Sequence, residues 1–121
     1  MKVCHYLCCL KPERQPIVLA IGFFDGVHRG HRAVIDKTLA RAKEVRGQAG
    51  VLTFDPHPMK VLNPTGAPPL LTSTRHKLEI LSQCGLTGVV VMPFTRRLAN
   101  LSPEDFVDRL KVCTPTLVEV L

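Results

Sequence analysis

The stretch Ile17-Val18-Leu19-Ala20-Ile21-Gly22 runs directly into Phe23-Phe24-Asp25-Gly26-Val27-His28-Arg29-Gly30-His31, and this passage decides the fold. Its first part is a short, continuous apolar run, the mark of a strand buried on both faces of a parallel sheet. The chain then turns through glycines into a polar segment where Ile35, Leu39, Ala42 and Val45 recur at spacings of three and four. Arg32, Asp36, Lys37, Arg41, Lys43 and Glu44 fill the other face, which predicts an amphipathic helix over roughly 29–46. Gly47 is expected to close it. Val51-Leu52-Thr53-Phe54 reads as a second strand, parallel to the first if the helix between them is a right-handed crossover.

Beyond Phe54 the character changes. Pro56, Pro58, Pro64, Pro68 and Pro69 are half of the 10 prolines, so residues 55–72 are expected to form a stiff loop without regular structure. A helix is expected from Ser73 or Thr74 to Gly85, with Leu78 and Leu81 on one face. Gly88-Val89-Val90-Val91-Met92 reads as the third strand. Ser102-Pro103-Glu104-Asp105 supplies an N-cap, a proline at the first helical position and acids in the first turn of a helix running to about Lys111. Leu117-Val118-Glu119-Val120-Leu121 begins a fourth strand. The order β-α-β-loop-α-β-α-β predicts an α/β, Rossmann-like, doubly wound parallel sheet, expected to be incomplete at the C-terminus. The last strand is then an apolar edge, through which self-association is expected. Such sheets bind ligands beyond the carboxyl ends of their strands, here Gly22–Asp25, Phe54–His57 and Met92–Thr95.

Composition narrows the classes. A length of 121 residues suits one domain, and 45% hydrophobic against 21% charged residues is too apolar for a disordered chain. No run of about 18 apolar residues offers a transmembrane helix, so no membrane partner is expected. Lys11-Pro12-Glu13-Arg14-Gln15 follows the apolar opening without a small-residue cleavage site, which predicts a cytoplasmic chain with no signal peptide. A net charge of +6 favours anionic partners. Nucleic acid is not the expected one: Trp is absent, Tyr6 is the sole Tyr, and Arg96-Arg97 is the only adjacent basic pair. The five cysteines, Cys4, Cys8, Cys9, Cys84 and Cys113, are odd in number and lack a C-x-x-C pair, so reduced thiols are expected rather than disulfides or a zinc ribbon. Cys4-His5…Cys8-Cys9 has no second ligand pair at finger spacing, and no protein-held metal is expected.

The chemistry concentrates in Gly22–His31. Glycines allow a tight turn and close approach of the backbone to a ligand. The helix N-terminus behind them is a natural phosphate seat. His28 and His31, three residues apart, could both face one bound group and donate to a phosphoryl oxygen as charge grows in a transition state. Histidines at a helix start also serve simply as caps, but the pair flanking Gly30 directly after a buried strand favours a site. No Walker A sequence, G-x-G-x-x-G or H-E-x-x-H is present. A zinc site of His28, His31 and Asp55 competes, and the crowded glycine turn suits phosphate better.

His28-Arg29-Gly30-His31 matches the H-x-G-H motif of the nucleotidyltransferase superfamily. Phe24-Asp25-Gly26-Val27 before it and Thr53-Phe54-Asp55-Pro56-His57-Pro58 after it narrow the likeness. So do Leu71-Thr72, Pro93-Phe94-Thr95 and Leu101-Ser102-Pro103-Glu104 with Phe106-Val107. Over roughly residues 17–110 the chain resembles the prokaryotic bifunctional riboflavin kinase/FMN adenylyltransferases, or FAD synthetases. The resemblance implies transfer of AMP from ATP to FMN, giving FAD and pyrophosphate, normally with Mg²⁺ and without a covalent enzyme intermediate. It implies that His28 and His31 contact the ATP phosphates, that Gly22, Phe23, Phe24, Asp25 and Gly30 line the nucleotide pocket, and that Asp55, Pro56 and His57 lie near the flavin phosphate. The family's later G-x-[DN]-[FW]-x-F-G segment, its arginine-bearing Ser/Thr-rich motif and its riboflavin kinase domain have no match. Residues 17–121 are therefore expected to be a partial adenylyltransferase domain, weakly active alone, after an N-terminal segment, 1–16, of unclear role. Two other readings compete: another H-x-G-H transferase, acting on pantetheine phosphate, nicotinate mononucleotide or a cytidylyl acceptor, and a non-catalytic nucleotide- or RNA-binding module.

Overall fold

Five parallel strands make one sheet: β1 (Lys2–Cys4), β2 (Ile17–Ile21), β3 (Gln48–Asp55), β4 (Gly88–Pro93) and β5 (Leu117–Val120), side by side in the order β1-β4-β3-β2-β5. Between them lie α1 (Arg29–Glu44), α2 (Thr74–Ser82), the single turn α3 (Arg96–Ala99) and α4 (Pro103–Cys113). The structure, a computed structural model, describes residues 1–6, 14–24, 29–55, 65 and 74–121. The proline-rich passage is outside these residues except for Asp55 and Thr65, as are Cys8, Cys9, Leu71 and Thr72.

The apolar runs alternate between two cores. Val18, Ala20, Ala49, Val51, Val89 and Val91 face α1 and α2, meeting Ile35, Ala42, Leu81 and Leu86. Ile17, Leu19, Leu52 and Val90 point the other way and pack with Cys4 and with Leu110 of α4, while Phe106 and Met92 close around them. Burial on both faces is why these strands read as unbroken hydrophobic runs. From β2 the chain steps outward to β3 and β4 over one face, then returns over the other to set β5 against the far side of β2. The direction of winding thus reverses between β2 and β5, and the crevice at such a switch point is where open α/β sheets take ligands.

The expected α/β architecture is borne out, with one more strand than the four read from the sequence. β1 pairs in parallel with β4, Val3 opposite Val89, so part of residues 1–16 belongs to the sheet. Only three residues, exposed, exposed and buried, carry it, and nothing local marks them as a strand. β5 forms the other edge, with Val118 and Val120 exposed. Arg41 of α1 pins that edge, bonding Glu44 at 2.8 Å and Glu119 at 2.7 Å. Hydrogen bonds to Glu44 and Glu119, with the Glu119 charge, raise the guanidinium pKa further above its ordinary value.

Two local details differ from the sequence reading. At the end of α1 the left-handed residue is Arg46 (φ 55), not Gly47. Gly47 N–H bonds Ala42 O at 2.8 Å and Arg46 N–H bonds Lys43 O at 3.2 Å, the paired bonds of a Schellman cap. Arg46→Gly should accordingly raise stability by about 1 kcal/mol, since a side chain in this conformation costs about that much. Urea denaturation at unchanged slope would measure the gain, and a loss of stability would contradict it. Ser102, by contrast, caps α4 as expected: its hydroxyl accepts from Asp105 N–H at 3.1 Å. Of the thiols, Cys4 and Cys84 are free. Cys113 is disulfide-bonded, which corrects the expectation of uniformly reduced cysteines. Count and spacing do not report which thiols a fold brings together.

Candidate functional site

The carboxyl ends of β2, β3 and β4 converge on one side of the sheet. Gly22 N–H extends the β2–β3 ladder to Leu52 O at 3.0 Å, and Phe94 N–H reaches Asp55 O at 3.3 Å, tying the end of β4 to that of β3. The chain leaving β2 then makes an unusual move. Phe24 takes a left-handed conformation (φ 55), a strained state for a bulky residue. The result is that Phe23 faces outward, 39% exposed, while the Phe24 ring is 1% exposed in the core. Gly22 permits this folding back: a Cβ there would sit 3.0 Å from Phe24 Cε2 and 3.4 Å from two further ring carbons.

Helix α1 starts a few residues later. Gly30 is exposed and His31 half-buried in its first turn, with Nδ1 buried. The Phe24 ring lies against the imidazole, centroids 5.1 Å apart at 52°. No acidic residue occupies the first turn of α1, so its positive dipole end is not neutralised by a carboxylate from within the helix. Asp55 is exposed at the end of β3. Gly22, Phe23, Phe24, Gly30, His31 and Asp55 are therefore all at this end of the sheet. Asp25, His28, Pro56 and His57 lie outside the described residues.

Two features went unread in the sequence. The first is an aromatic row. Phe23 and Phe54 stand 5.5 Å apart at 57°, and Phe54 meets Phe94 edge-on at 5.8 Å and 86°. The parallel register, Phe54 opposite Met92 and Asp55 opposite Pro93, brings them together from three strand ends. The second is Lys77 of α2, 7% exposed, whose Nζ donates to Phe23 O at 2.8 Å and Thr53 Oγ1 at 3.1 Å. A signal existed: Lys77 is four residues before Leu81, on the stripe that faces the core. Beyond β4, Thr95 accepts from Leu98 N–H at 3.1 Å to cap α3, and Arg97 is exposed there. Chemically the arrangement suits a flat, anionic ligand. It offers a helix N-terminus and an imidazole for charge, and ring faces for stacking.

The chain matches the FAD synthetase family over residues 10–119. A bifunctional riboflavin kinase/FMN adenylyltransferase of Listeria monocytogenes is 45% identical over 100 residues, covering 78% of this chain and 31% of that protein. The proteins of the same description from Escherichia coli K12 and Pseudomonas fluorescens are 39% and 37% identical, covering 78% and 93% of this chain. The chain spans about a third of the length of these relatives, 30% and 36% for the latter two. Among solved structures, a crystal structure described as a macrolide-efflux protein from Streptococcus pneumoniae aligns with a TM-score of 0.76. It covers 90% of this chain and 36% of that one at 18% identity, a likeness of fold alone.

Proposed function

Since the chain belongs to the FAD synthetase family, we propose that it carries the nucleotide end of an FMN adenylyltransferase site, which transfers AMP from ATP to FMN and releases pyrophosphate. The observation that carries this reading is His31 in the first turn of α1, directly beyond the carboxyl end of β2 at the switch point of the sheet. In the reaction a phosphate oxygen of FMN forms a bond to the α-phosphorus of ATP. The bond from that phosphorus to the β-phosphate oxygen breaks in line, and the electron pair leaves with pyrophosphate. No side chain becomes covalently attached, so the protein's task is to align two anions and to neutralise charge.

The roles follow the chemistry of each residue. The α1 N-terminus, with Gly30 at its exposed start, takes the phosphates, and His31 with His28 donates to the oxygens on which charge accumulates. Gly22, Phe23 and Asp25 line the nucleotide pocket, while Phe24, its ring buried in the core, supports His31 from behind. Asp55, Pro56 and His57 are assigned to the flavin phosphate by the family motif, and the row of Phe23, Phe54 and Phe94 at the strand ends suits a flat ring system. Mg²⁺ bound with ATP would offset phosphate charge. When bound, it would be held mainly by phosphate oxygens and water, and Asp55, exposed at the end of β3, would be the hard oxygen donor from this chain. The site reading also favours a cytoplasmic protein, where ATP and FMN are found. Among the described residues no helix is long and apolar enough to cross a membrane.

A substrate screen tests the proposal. The full-length protein incubated with ATP and, separately, CTP against FMN, pantetheine phosphate and nicotinate mononucleotide should yield FAD from ATP and FMN alone. A product from another acceptor, or nucleotide binding without turnover, would transfer the site to a different chemistry. Excess EDTA should abolish FAD formation and Mg²⁺ should restore it; undiminished turnover in EDTA would contradict the assignment of the metal.

A further inference from the structure

We propose that Lys77 is a positioning residue for adenylyl transfer, fixing the Phe23–Phe24 turn and, through the Phe24 ring, the His31 imidazole; this rests on the adenylyltransferase reading above. Three hydrogen bonds close a triangle around one carbonyl. Lys77 Nζ donates to Phe23 O at 2.8 Å and to Thr53 Oγ1 at 3.1 Å, while Thr53 Oγ1 donates to Phe23 O at 3.0 Å. Thr53 is fully buried and Lys77 nearly so, at 7%. Burying an ammonium is costly, and an apolar side chain would fill a core-facing position on α2 at lower cost. A lysine there therefore calls for a reason beyond packing.

The location of the carbonyl supplies it. Phe23 O belongs to the peptide that enters Phe24, the residue held at φ 55. Two donors on that oxygen fix the peptide plane, and with it the left-handed turn that sends the Phe24 ring inward. The ring arrives 5.1 Å from the His31 imidazole. Mechanical constraint thus passes from α2, through the end of β2, to the first turn of α1. Thr53 adds the end of β3 to the same junction. With the carbonyl released, Phe24 could relax out of its strained conformation, and His31 would lose the surface against which its ring is set.

The test uses the full-length protein and two kinds of readout. In Lys77→Met, kcat for FAD formation should fall roughly tenfold to a hundredfold, as expected for a misplaced reacting group, while KM for ATP stays nearly unchanged. By NMR, the His31 ring-proton resonance should move to the position it takes in Phe24→Leu, where the aromatic neighbour is absent. Thr53→Val, which removes one donor to the same carbonyl, should move both readouts in the same direction by less. It carries the test if Lys77→Met does not fold. Wild-type kcat together with an unmoved His31 resonance in a folded variant would overturn the inference. So would an equal loss in every parameter tracking only the melting temperature. If the wild-type protein makes no FAD, the adenylyltransferase reading fails, and the His31 resonance alone decides whether Lys77 sets the imidazole.

Discussion

Replacing His31 with alanine in the full-length protein is expected to lower kcat for FAD formation by roughly a hundredfold or more, the loss seen when one preorganised donor to a developing oxyanion is removed. The α-phosphoryl group carries its greatest charge when the incoming and outgoing oxygens are both partly bonded. A donor already in position at that moment stabilises the transition state more than the ground state, so KM for ATP should change much less than kcat. The geometry supports such a role. His31 is half-buried, its Nδ1 is out of solvent, and the Phe24 ring braces one side of the imidazole. His28→Ala should behave alike, on the strength of its spacing in the motif. Near-wild-type turnover in both variants would remove the histidines from the chemistry and reduce them to helix caps.

The largest expected effect on stability comes from a position with no part in the reaction. Gly47→Ala would put a Cβ 2.1 Å from Pro16 O, 2.8 Å from the carbonyl carbon and 3.0 Å from Pro16 Cβ. These are mostly backbone atoms, and they are not at liberty to move. Pro16 O accepts from Gln48 N–H at 2.8 Å, just ahead of the β2–β3 ladder, where Ile17 pairs with Gln48. Relief requires displacing the start of both central strands, so a loss of about 3 kcal/mol is expected, at the upper end of overpacking costs. For a chain this size that lowers Tm by roughly 10 °C. Gly85→Ala gives a useful contrast. Gly85 has φ 87 but nothing within 4 Å of a built Cβ, so only backbone strain, about 1 kcal/mol, is expected. Chemical denaturation of both variants distinguishes crowding from strain; a Gly47→Ala protein as stable as the parent would show that the strands can yield.

How far the fold could be read ahead depended on whether its information was local. The β2–α1–β3 unit was legible because burial on both faces leaves continuous apolar runs and a helix with one wet face leaves a 3.6-residue period. The start of α4 was legible because Ser102 and Pro103 act within one turn. β1 was not: Lys2-Val3-Cys4 is a strand only because β4, more than eighty residues away, offers it an edge. The Arg46 cap escaped because glycine at position 47 answers to the approach of Pro16, a tertiary contact, rather than to helix termination.

The candidate site divides the same way. Its motif, from Gly22 to His31, was plain in the sequence because glycines, a strand end and a helix start are consecutive there. The aromatic row was not, since Phe23, Phe54 and Phe94 meet only through strand register. Lys77 was passed over because a charged residue within an amphipathic pattern is ordinarily assigned to the wet face, and here it lies on the dry one.

If this sheet end moves an adenylyl group rather than a terminal phosphate, the α-phosphorus of ATP must end in the flavin product. Label from ATP, carried in the α-phosphate in one reaction and the γ-phosphate in another, is followed with FMN, Mg²⁺ and the full-length protein. The α-label is expected in FAD, the γ-label in pyrophosphate, and the two products in equal amounts. Absence of α-label from FAD while ATP is consumed, or γ-label in the flavin product, would contradict adenylyl transfer.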